Sequence, residues 1–372
     1  MSTAIEKGPF RYDIVGSFLR TPEIKEARQA FEAGTLDKAG LRKVENEEIA
    51  KLVDKELAVG LKAVTDGEYR RSFWHLDFLE NLKGITHVKA DAWSVKFKSH
   101  QPKAVTIEIT DTIDFEDHPF VEDFKEFNAI VNNRAVAKMT IPSPSMLHLI
   151  CCVRNEHFTL PACYNSEDEI FEDIAKAYKK ALHAFYEAGC RYLQLDDTSW
   201  GEFCDAEKRK AYAARGIDVD KVGQKYVEVI NKVLEDKPAD LTVTMHICRG
   251  NFRSTWFSSG GYDPIAPILF AHCKVDGFFL EYDSDRAGGF TPLGHIKDQK
   301  VVLGLVTSKF ADLEKEEDII ERINEATLYV PKEQLCISPQ CGFASTEEGN
   351  AITDEDQWKK LSLLKSIAEK VW

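Results

Sequence analysis

Short apolar runs rich in β-branched residues alternate along this chain with longer amphipathic stretches. The apolar runs predict eight strands, at residues 12–17, 63–68, 137–141, 192–197, 241–248, 277–281, 301–306 and 335–338. The amphipathic stretches have apolar residues three and four positions apart, and they predict helices at residues 41–59, 167–188, 219–234, 318–328 and 355–371. This alternation of strands and helices is typical of an α/β protein.

Eight strands with intervening helices in 372 residues predict a (β/α)8 TIM barrel that occupies residues 1–372 as one domain. A doubly wound open sheet is the alternative. No GxGxxG or GxxxxGKS motif follows the first predicted strand, which disfavours the nucleotide-binding form of that alternative. Residues 86–117 alternate apolar and polar side chains, as at Val105, Ile107 and Ile109, and they predict a β-hairpin excursion after strand two.

The amino-acid composition argues against certain kinds of binding partner. The 62 acidic residues outnumber the 48 lysines and arginines, for a formal net charge of −14, whereas proteins that bind nucleic acid need a basic surface. No apolar run is long enough for a signal sequence or a membrane span. Nine cysteines without regular spacing do not indicate a disulfide framework. We therefore expect a cytoplasmic protein with no nucleic-acid or membrane partner. The sequence leaves the oligomeric state open, and a homo-oligomer is one of the options.

The carboxyl ends of barrel strands form the reactive face, because the loops that follow them surround the mouth of the barrel. Charged and ligand-type side chains stand at these predicted ends: Ser17, Glu68, Asp196, Asp197, His246, Cys248, Glu281, Lys309 and Cys341. Some of them also have a simpler interpretation. Asp196 and Asp197 suit a helix N-cap, and Glu68 suits an ion pair with Arg70 or Arg71.

His246 and Cys248 lie two positions apart on a predicted strand, so both side chains face the same side. Imidazole and thiolate are good zinc donors, but an isolated His-x-Cys pair also arises by chance, and a buried cysteine is most often a small apolar residue. A barrel brings Glu281 and Cys341 to the same part of the mouth, which makes a four-donor zinc set. Cys336 lies within a predicted strand, and we expect it in the core.

Several short motifs follow one another along nearly the whole chain. They are Val-Gly-Ser-Phe at 15–18, Asp-Gly-Glu at 66–68 with Arg71, Gln-Leu-Asp-Asp at 194–197, His-Ile-Cys at 246–248, Glu281, Gly304 and Cys-Gly at 341–342. In this order and spacing the sequence resembles the cobalamin-independent methionine synthase family. The resemblance is to the catalytic C-terminal barrel of that family and to its shorter stand-alone relatives.

The resemblance implies an enzyme that forms a sulfur–carbon bond with a zinc-activated thiol. It implies four zinc ligands, His246, Cys248, Glu281 and Cys341. A free thiol has a pKa of about 8.5 and is mostly protonated at neutral pH, so binding to the metal as a thiolate makes it nucleophilic. The resemblance also implies that Ser17 meets the carboxylate of homocysteine, while Glu68 and Asp196 meet its ammonium group.

The residues expected to serve the methyl donor differ from the family pattern. Full-length synthases have a second, N-terminal barrel that has no counterpart in this sequence. Where the family has a histidine that protonates the folate leaving nitrogen, this chain reads Thr307, Ser308 and Lys309, and a lysine with the usual pKa of about 10.4 is a poor acid at neutral pH. Where a tryptophan is expected beneath the pterin, residues 142–152 offer aliphatic side chains such as Leu149 and Ile150.

These features predict a zinc-dependent thiol methyltransferase of methionine biosynthesis, which moves a methyl group from methyltetrahydrofolate or a smaller donor to homocysteine or a related thiol. Within the same chemistry, the alternative is a thiol alkyltransferase of the epoxyalkane:coenzyme M type, in which Lys309 stabilises the developing alkoxide. A zinc hydrolase with Asp196 or Glu68 as base is a third hypothesis, although two thiolates and a carboxylate on the zinc favour thiol exchange over strong Lewis acidity. The fourth hypothesis is a non-catalytic protein in which the zinc site is closed and structural.

Overall fold

A curled parallel sheet forms the centre of the computed structural model, which describes residues 7–89, 97 and 105–372. The strands of this part of the chain are β1 Ala63–Val64, β2 Lys83–Lys89, β3 Val105–Asp114, β4 Val136–Pro142, β5 Tyr192–Asp197, β6 Thr242–Ile247, β7 Gly277–Glu281, β8 Lys300–Val306 and β9 Leu335–Pro339. Seven strands form one sheet in the order β1-β4-β5-β6-β7-β8-β9, with every neighbouring pair parallel. Their carboxyl ends therefore meet at one edge.

Helices connect these strands and cover the sheet. The α-helices of the described ranges are α1 Pro22–Glu32, α2 Lys38–Ala58, α3 Leu76–Leu79, α4 Pro119–Val131, α5 Pro144–His148, α6 Glu167–Glu187, α7 Ser199–Phe203, α8 Ala206–Ala214, α9 Val219–Leu234, α10 Leu269–His272, α11 Glu316–Ala326 and α12 Asp354–Val371. A π-helical turn over Leu149–Val153 continues α5. None of the described helices is both long and apolar enough to cross a membrane.

A short segment near the start of the chain joins the two edges of the sheet. Tyr12 forms a parallel bridge with Ile337 of β9, and Ser17 forms one with Gly67 just after β1. Between these bridges Gly16 has a φ of +150°, which lies outside regular strand geometry. The predicted α/β barrel-like fold is thus confirmed, but the first predicted strand consists of two isolated bridges rather than a regular ladder.

The five predicted helices correspond to α2, α6, α9, α11 and α12, each within three residues at either end. Periodicity and capping located them: the Ser166 side chain accepts from the backbone of Glu169, and Thr353 and Asp356 form a capping box. The sequence interpretation missed α1, α4 and α5, which all have a proline in their first turn. Proline is tolerated there because the first N–H groups of a helix have no intrahelical partner.

The predicted strand at 63–68 is shorter than expected. It ends at Val64, and Gly67 and Glu68 adopt left-handed backbone conformations with φ of 66° and 59°. Within the predicted excursion at 86–117, β2 and β3 pair antiparallel. The residues that connect them, apart from Phe97, lie outside the described residues, so the hairpin excursion as a whole stays a prediction.

A buried ion pair lies near the amino-terminal ends of β4 and β5. The Lys138 Nζ is 3.4 Å from Asp13 Oδ1 and donates to the Ile14 carbonyl at 2.5 Å, and both charged side chains are fully buried. The Tyr192 hydroxyl donates to the other oxygen of Asp13 at 2.9 Å. Because a buried charge is costly without its partner, this pair ties the closing segment to the sheet.

We expect the substitution Lys138→Met to lower the free energy of unfolding by about 3–5 kcal/mol, because it leaves the Asp13 carboxylate buried without its cation. Lys43→Met, which removes the exposed pair of Lys43 with Glu47, should change it by less than about 1 kcal/mol. Urea unfolding measures both values. Equal effects of the two substitutions would contradict the structural role of the buried pair.

Candidate metal centre

Four potential metal donors converge at the carboxyl edge of the sheet. His246 lies near the end of β6, and Cys248 follows that strand directly. Glu281 is the last residue of β7, and Cys341 comes two residues after β9. All four side chains are buried, and one donor atom from each lies within 4.8 Å of the other three. Parallel strands with adjacent carboxyl ends bring them together, as the sequence predicted.

The imidazole of His246 is oriented as a ligand. Its Nδ1 is 3.3 Å from the carbonyl oxygen of Phe279 on β7. A carbonyl oxygen can only accept, so Nδ1 carries a proton, and Nε2 is the ring atom left to bind a metal. That Nε2 is buried and finds no hydrogen-bond partner among the described residues. A metal ion at the cluster would supply its missing partner.

The two sulfur atoms of the cluster lie 3.6 Å apart and do not form a disulfide. A hydrogen bond from Cys248 lowers the pKa of Cys341 well below that of a free thiol. Burial lowers the pKa of His246, but the Cys341 sulfur and the neighbouring acids outweigh this effect and raise it. A tetrahedral ion with metal–sulfur bonds of about 2.3 Å holds two sulfurs about 3.8 Å apart, so the observed spacing suits a shared metal.

Glu281 accepts a hydrogen bond on each of its two oxygens. The backbone N–H of Arg249 donates to Oε1 at 2.8 Å, and the Arg286 guanidinium donates to Oε2 at 2.9 Å. Burial raises the pKa of Glu281, but the charges of Arg286, Lys309 and Arg249 outweigh it and lower the pKa. The carboxylate is therefore ionised at neutral pH and fixed in orientation. Oriented carboxylates of this kind are typical of metal ligands.

The donor chemistry limits which ion this cluster could hold. Two sulfurs and an imidazole suit borderline and soft ions, whereas magnesium and calcium prefer oxygen ligands. Within residues 7–89, 97 and 105–372, this is the one group of three or more donors close enough to share an ion. Cys336, which was expected in the core, is buried near the amino-terminal side of β9 and stays outside the cluster.

Two buried carboxylates lie beside the cluster. The Thr140 hydroxyl donates to Glu68 Oε1 at 3.0 Å, while Oε2 has no hydrogen-bond partner among the described residues. Gln194 donates to Asp196 at 2.8 Å, and Asp196 pairs in register with His246 on β6. Burial raises the pKa of Asp196 to about 7, and the Glu68 charge adds to this shift. Glu68 also forms the ion pair with Arg71 that the sequence suggested, at 3.6 Å. Its Oε2 is the buried oxygen of the pair that lacks a donor among the described residues, and an incoming cation could supply that donor.

Ser17 lies against the loop that carries Cys341. Its hydroxyl accepts from the backbone N–H of Ala344 at 3.3 Å. A Cβ atom at Gly342 would lie 1.9 Å from this hydroxyl oxygen, so only glycine allows the approach. Ser17 thus lies next to the residue that follows Cys341, and its role in binding substrate stays a prediction.

Lys309 is fully buried on the other side of Cys248. Its Nζ donates to Asn251 Oδ1 at 2.8 Å and to the Gly250 carbonyl at 3.3 Å. The amide nitrogen of Asn251 in turn donates to the Gly342 carbonyl at 2.8 Å. Asn251 thus links the loops after β6, β8 and β9. Sequence analysis named Lys309 but missed Asn251. The position of Asn251, three residues after Cys248, could have indicated that it lies at the site.

Sequence analysis also missed an aromatic pocket that opens beside Cys248. Its rings come from the loops after β1 and β6 and include Phe73, Trp74, Phe252 and Phe257. The segment expected to carry a ring, residues 142–152, forms instead the end of β4, α5 and part of the π-helical turn. Phe252 and Phe257 follow the His-x-Cys strand closely in the sequence, and this position could have indicated aromatic rings beside the metal donors.

A family model described as "Cobalamin-independent synthase, Catalytic domain" matches residues 11–360. The chain belongs to this family. Among curated relatives, the uncharacterized protein YxjH of Bacillus subtilis is 49% identical over 98% of this chain and 96% of its own length. A methionine synthase of Saccharolobus solfataricus is 24% identical over 89% of this chain and 87% of its own.

Solved structures of synthase-like proteins share the fold. A candidate vitamin-B12 independent methionine synthase from Listeria monocytogenes has a TM-score of 0.78 and 41% identity, with 99% of both chains covered. A B12-independent methionine synthase from Shewanella, solved with selenomethionine, has a TM-score of 0.72 and 18% identity over 97% of both chains. The resemblance inferred from the motifs is therefore confirmed at the level of the family and its methyltransferase character.

Cobalt provides a visible probe for the thiolate donors of this synthase-family chain. Added to metal-free protein, Co²⁺ should give a thiolate-to-metal charge-transfer absorption, and Cys248→Ser or Cys341→Ser should each reduce it by about half because each removes one of two sulfurs. The matched control, Cys336→Ser, should leave the absorption unchanged. Full intensity in either cluster variant would show that its sulfur is not a ligand.

Proposed function

We propose that this protein is a zinc-dependent thiol methyltransferase that acts on homocysteine or a closely related thiol. The observation that carries the proposal is the buried cluster of His246, Cys248, Glu281 and Cys341, with donor atoms within 4.8 Å of one another. Family membership supports methyl transfer as the reaction class. A reducing compartment such as the cytoplasm suits a site built on two free thiols.

The donor set fits zinc better than other common ions. One nitrogen, two sulfurs and one carboxylate oxygen match the tetrahedral preference of zinc. When bound, zinc supplies the positive charge that keeps a substrate thiol deprotonated at neutral pH, where a free thiol with a pKa of about 8.5 is mostly protonated. Cys248, Cys341 and Glu281 together carry more negative charge than the ion offsets, which favours exchange of sulfur ligands over activation of water and disfavours a hydrolase.

Glu68 and Asp196 support an amino acid as the thiol-bearing substrate. Glu68 has a buried oxygen without a hydrogen-bond donor, and the pKa of Asp196 is raised to about 7 by burial and by the Glu68 charge. An ammonium group between them would donate to both carboxylates and offset their repulsion. Ser17, beside Gly342, would then meet the carboxylate of the same substrate. Two observations support these roles: the unsatisfied oxygen of Glu68 and the register pairing of Asp196 with the metal donor His246.

A second candidate is thiol alkylation by an epoxide, which the position of Lys309 favours. Opening of an epoxide by a thiolate leaves an alkoxide on the adjacent carbon, and a nearby ammonium can stabilise that charge and return a proton. The Lys309 ammonium is buried beside Cys248, where it donates to Asn251 and to the Gly250 carbonyl. Product analysis separates the candidates, because methyl transfer adds one carbon and leaves no hydroxyl group.

The roles of the two carboxylates can be tested with a pair of thiols. Asp196→Asn and Glu68→Gln should each raise KM for homocysteine by about tenfold or more, because a charge-assisted hydrogen bond to the ammonium contributes about 1.5–3 kcal/mol. With 4-mercaptobutanoate, which lacks the ammonium group, both variants should stay within about threefold of the unmodified protein. Steady-state kinetics with the two thiols measures the difference. Equal losses for both thiols would contradict ammonium binding at this pair.

A further inference from the structure

The aromatic pocket beside Cys248 is the strongest unassigned feature near the metal cluster. The Phe257 ring lies over the backbone of Gly250, where a Cβ would stand 2.2 Å from a ring carbon. Trp74 and Phe73 enter from the loop after β1, and Cys248 itself lines the pocket. The free space among these rings is about 30 Å³, so a ligand larger than a water molecule enters only when the rings move apart. A molecule held by them would then lie next to the site where a substrate sulfur binds under the proposed function.

The rings are inclined to one another rather than parallel. Phe97 is tilted by 53° from Phe252 at 5.5 Å between centroids, and it meets Phe257 edge-on at 85° and 5.1 Å. On the opposite side, Trp74 stacks on His75 at 4.5 Å. A flat heterocycle needs parallel faces, whereas faces inclined in several directions suit a compact, rounded cation.

The same pocket contains a cation that suits a carboxylate. Arg154 donates through Nε to Glu202 at 3.0 Å and through Nη2 to Thr198 at 3.2 Å. Its Nη1 has no hydrogen-bond partner within the described ranges. Lys208 lies 3.8 Å from the other oxygen of Glu202 and above the Phe257 ring at 4.8 Å.

The Arg154 guanidinium also lies over the Phe257 ring, at 5.7 Å, so positive charge gathers at this end of the pocket. The acidic metal cluster lies at the Cys248 end. This separation of charge suits a zwitterion with its carboxylate at Arg154 and its cationic centre towards Cys248.

No residue lining this pocket in the described part of the chain is suited to protonate a leaving amine. Burial lowers the pKa of His75 to about 3, so its ring is neutral at neutral pH. Arg154 does not release its proton, and Cys248 belongs to the metal cluster. The Lys309 ammonium lies behind the lining, where it donates to Asn251 and to the Gly250 carbonyl. A tertiary amine that gives up a methyl group must leave as an anion unless it is protonated. A methyl donor whose leaving group is neutral without a proton fits this setting better.

We propose that the pocket binds a zwitterionic onium methyl donor, with its methylated ammonium or sulfonium centre against the aromatic rings and its carboxylate on Arg154. This rests on the proposed methyl transfer to a thiol. In the step, the bond from the onium centre to its methyl carbon breaks and its electron pair stays on the nitrogen or sulfur. The substrate thiolate forms the new sulfur–carbon bond. The onium donor becomes a tertiary amine or a thioether, and the substrate thiolate becomes a methyl thioether. The step involves no change of oxidation state and no proton transfer.

Binding can be measured apart from catalysis with an isosteric pair of probes. Glycine betaine and 3,3-dimethylbutanoate have the same shape and carboxylate and differ in the positive charge. Titration calorimetry on the zinc-loaded protein without thiol should show glycine betaine, or its sulfonium counterpart dimethylsulfoniopropionate, binding at least about tenfold more tightly than 3,3-dimethylbutanoate. Equal affinities, or binding of none of the three, would overturn the proposal.

Ring variants locate the binding. Trp74→Leu and Phe252→Leu should each weaken the preferred onium probe by about five- to tenfold and change 3,3-dimethylbutanoate by less than about twofold. The control Phe31→Leu, at an exposed ring on α1, should change neither. Unchanged onium affinity in both pocket variants would place the binding elsewhere and overturn the proposal.

Mass spectrometry after addition of homocysteine then separates the sources. Release of dimethylglycine identifies the ammonium donor, and release of 3-(methylthio)propanoate identifies the sulfonium donor. Tight onium binding without methylation of any thiol would keep the pocket assignment and contradict the proposed methyl transfer, so the two failures are distinguishable.

Discussion

Negative charge concentrated at one buried point of the barrel rim is the constraint on which the rest of this structure depends. Two buried thiols 3.6 Å apart and the buried carboxylate of Glu281 converge there. The hydrogen bond between the two sulfurs lowers the pKa of Cys341 and raises that of Cys248. A second thiolate beside Cys341 and Glu281 would be repelled strongly in a low-dielectric interior. Arg249, Arg286 and Lys309 lower the pKa of Glu281 and so offset part of that charge, and a bound dication would offset the rest.

The surrounding loops are built to hold this arrangement. Asn251 connects Lys309 to the Gly342 carbonyl, so two hydrogen bonds hold together the loop after β6, the residues after β8 and the loop after β9. Ser17 packs against Gly342 at a distance that excludes any side chain. The segment that closes the sheet thus reaches the cluster directly. A change in how this segment closes the barrel would therefore alter the positions of the metal donors, which connects the fold to the proposed chemistry.

Strand order and the position of residues at strand ends were predictable from the sequence, because burial enforces apolar runs and parallel strands share one carboxyl edge. This placed His246, Cys248, Glu281 and Cys341 together. Periodicity could not reveal helices that begin with proline or the bridges around Gly16, since both depend on local backbone conformation. The guanidinium contact of Arg286 and the ring angles around Phe97 depend on tertiary packing, which no spacing in the sequence encodes.

The central claim is that the four-donor cluster binds zinc and that the substrate sulfur joins it. X-ray absorption at the zinc edge, recorded on the zinc-loaded protein with and without homocysteine, tests this most directly. The account predicts two sulfur neighbours without homocysteine and one more with it, at a distance of about 2.3 Å. An unchanged set of neighbours on addition of homocysteine would contradict thiol activation and indicate a closed or hydrolytic site.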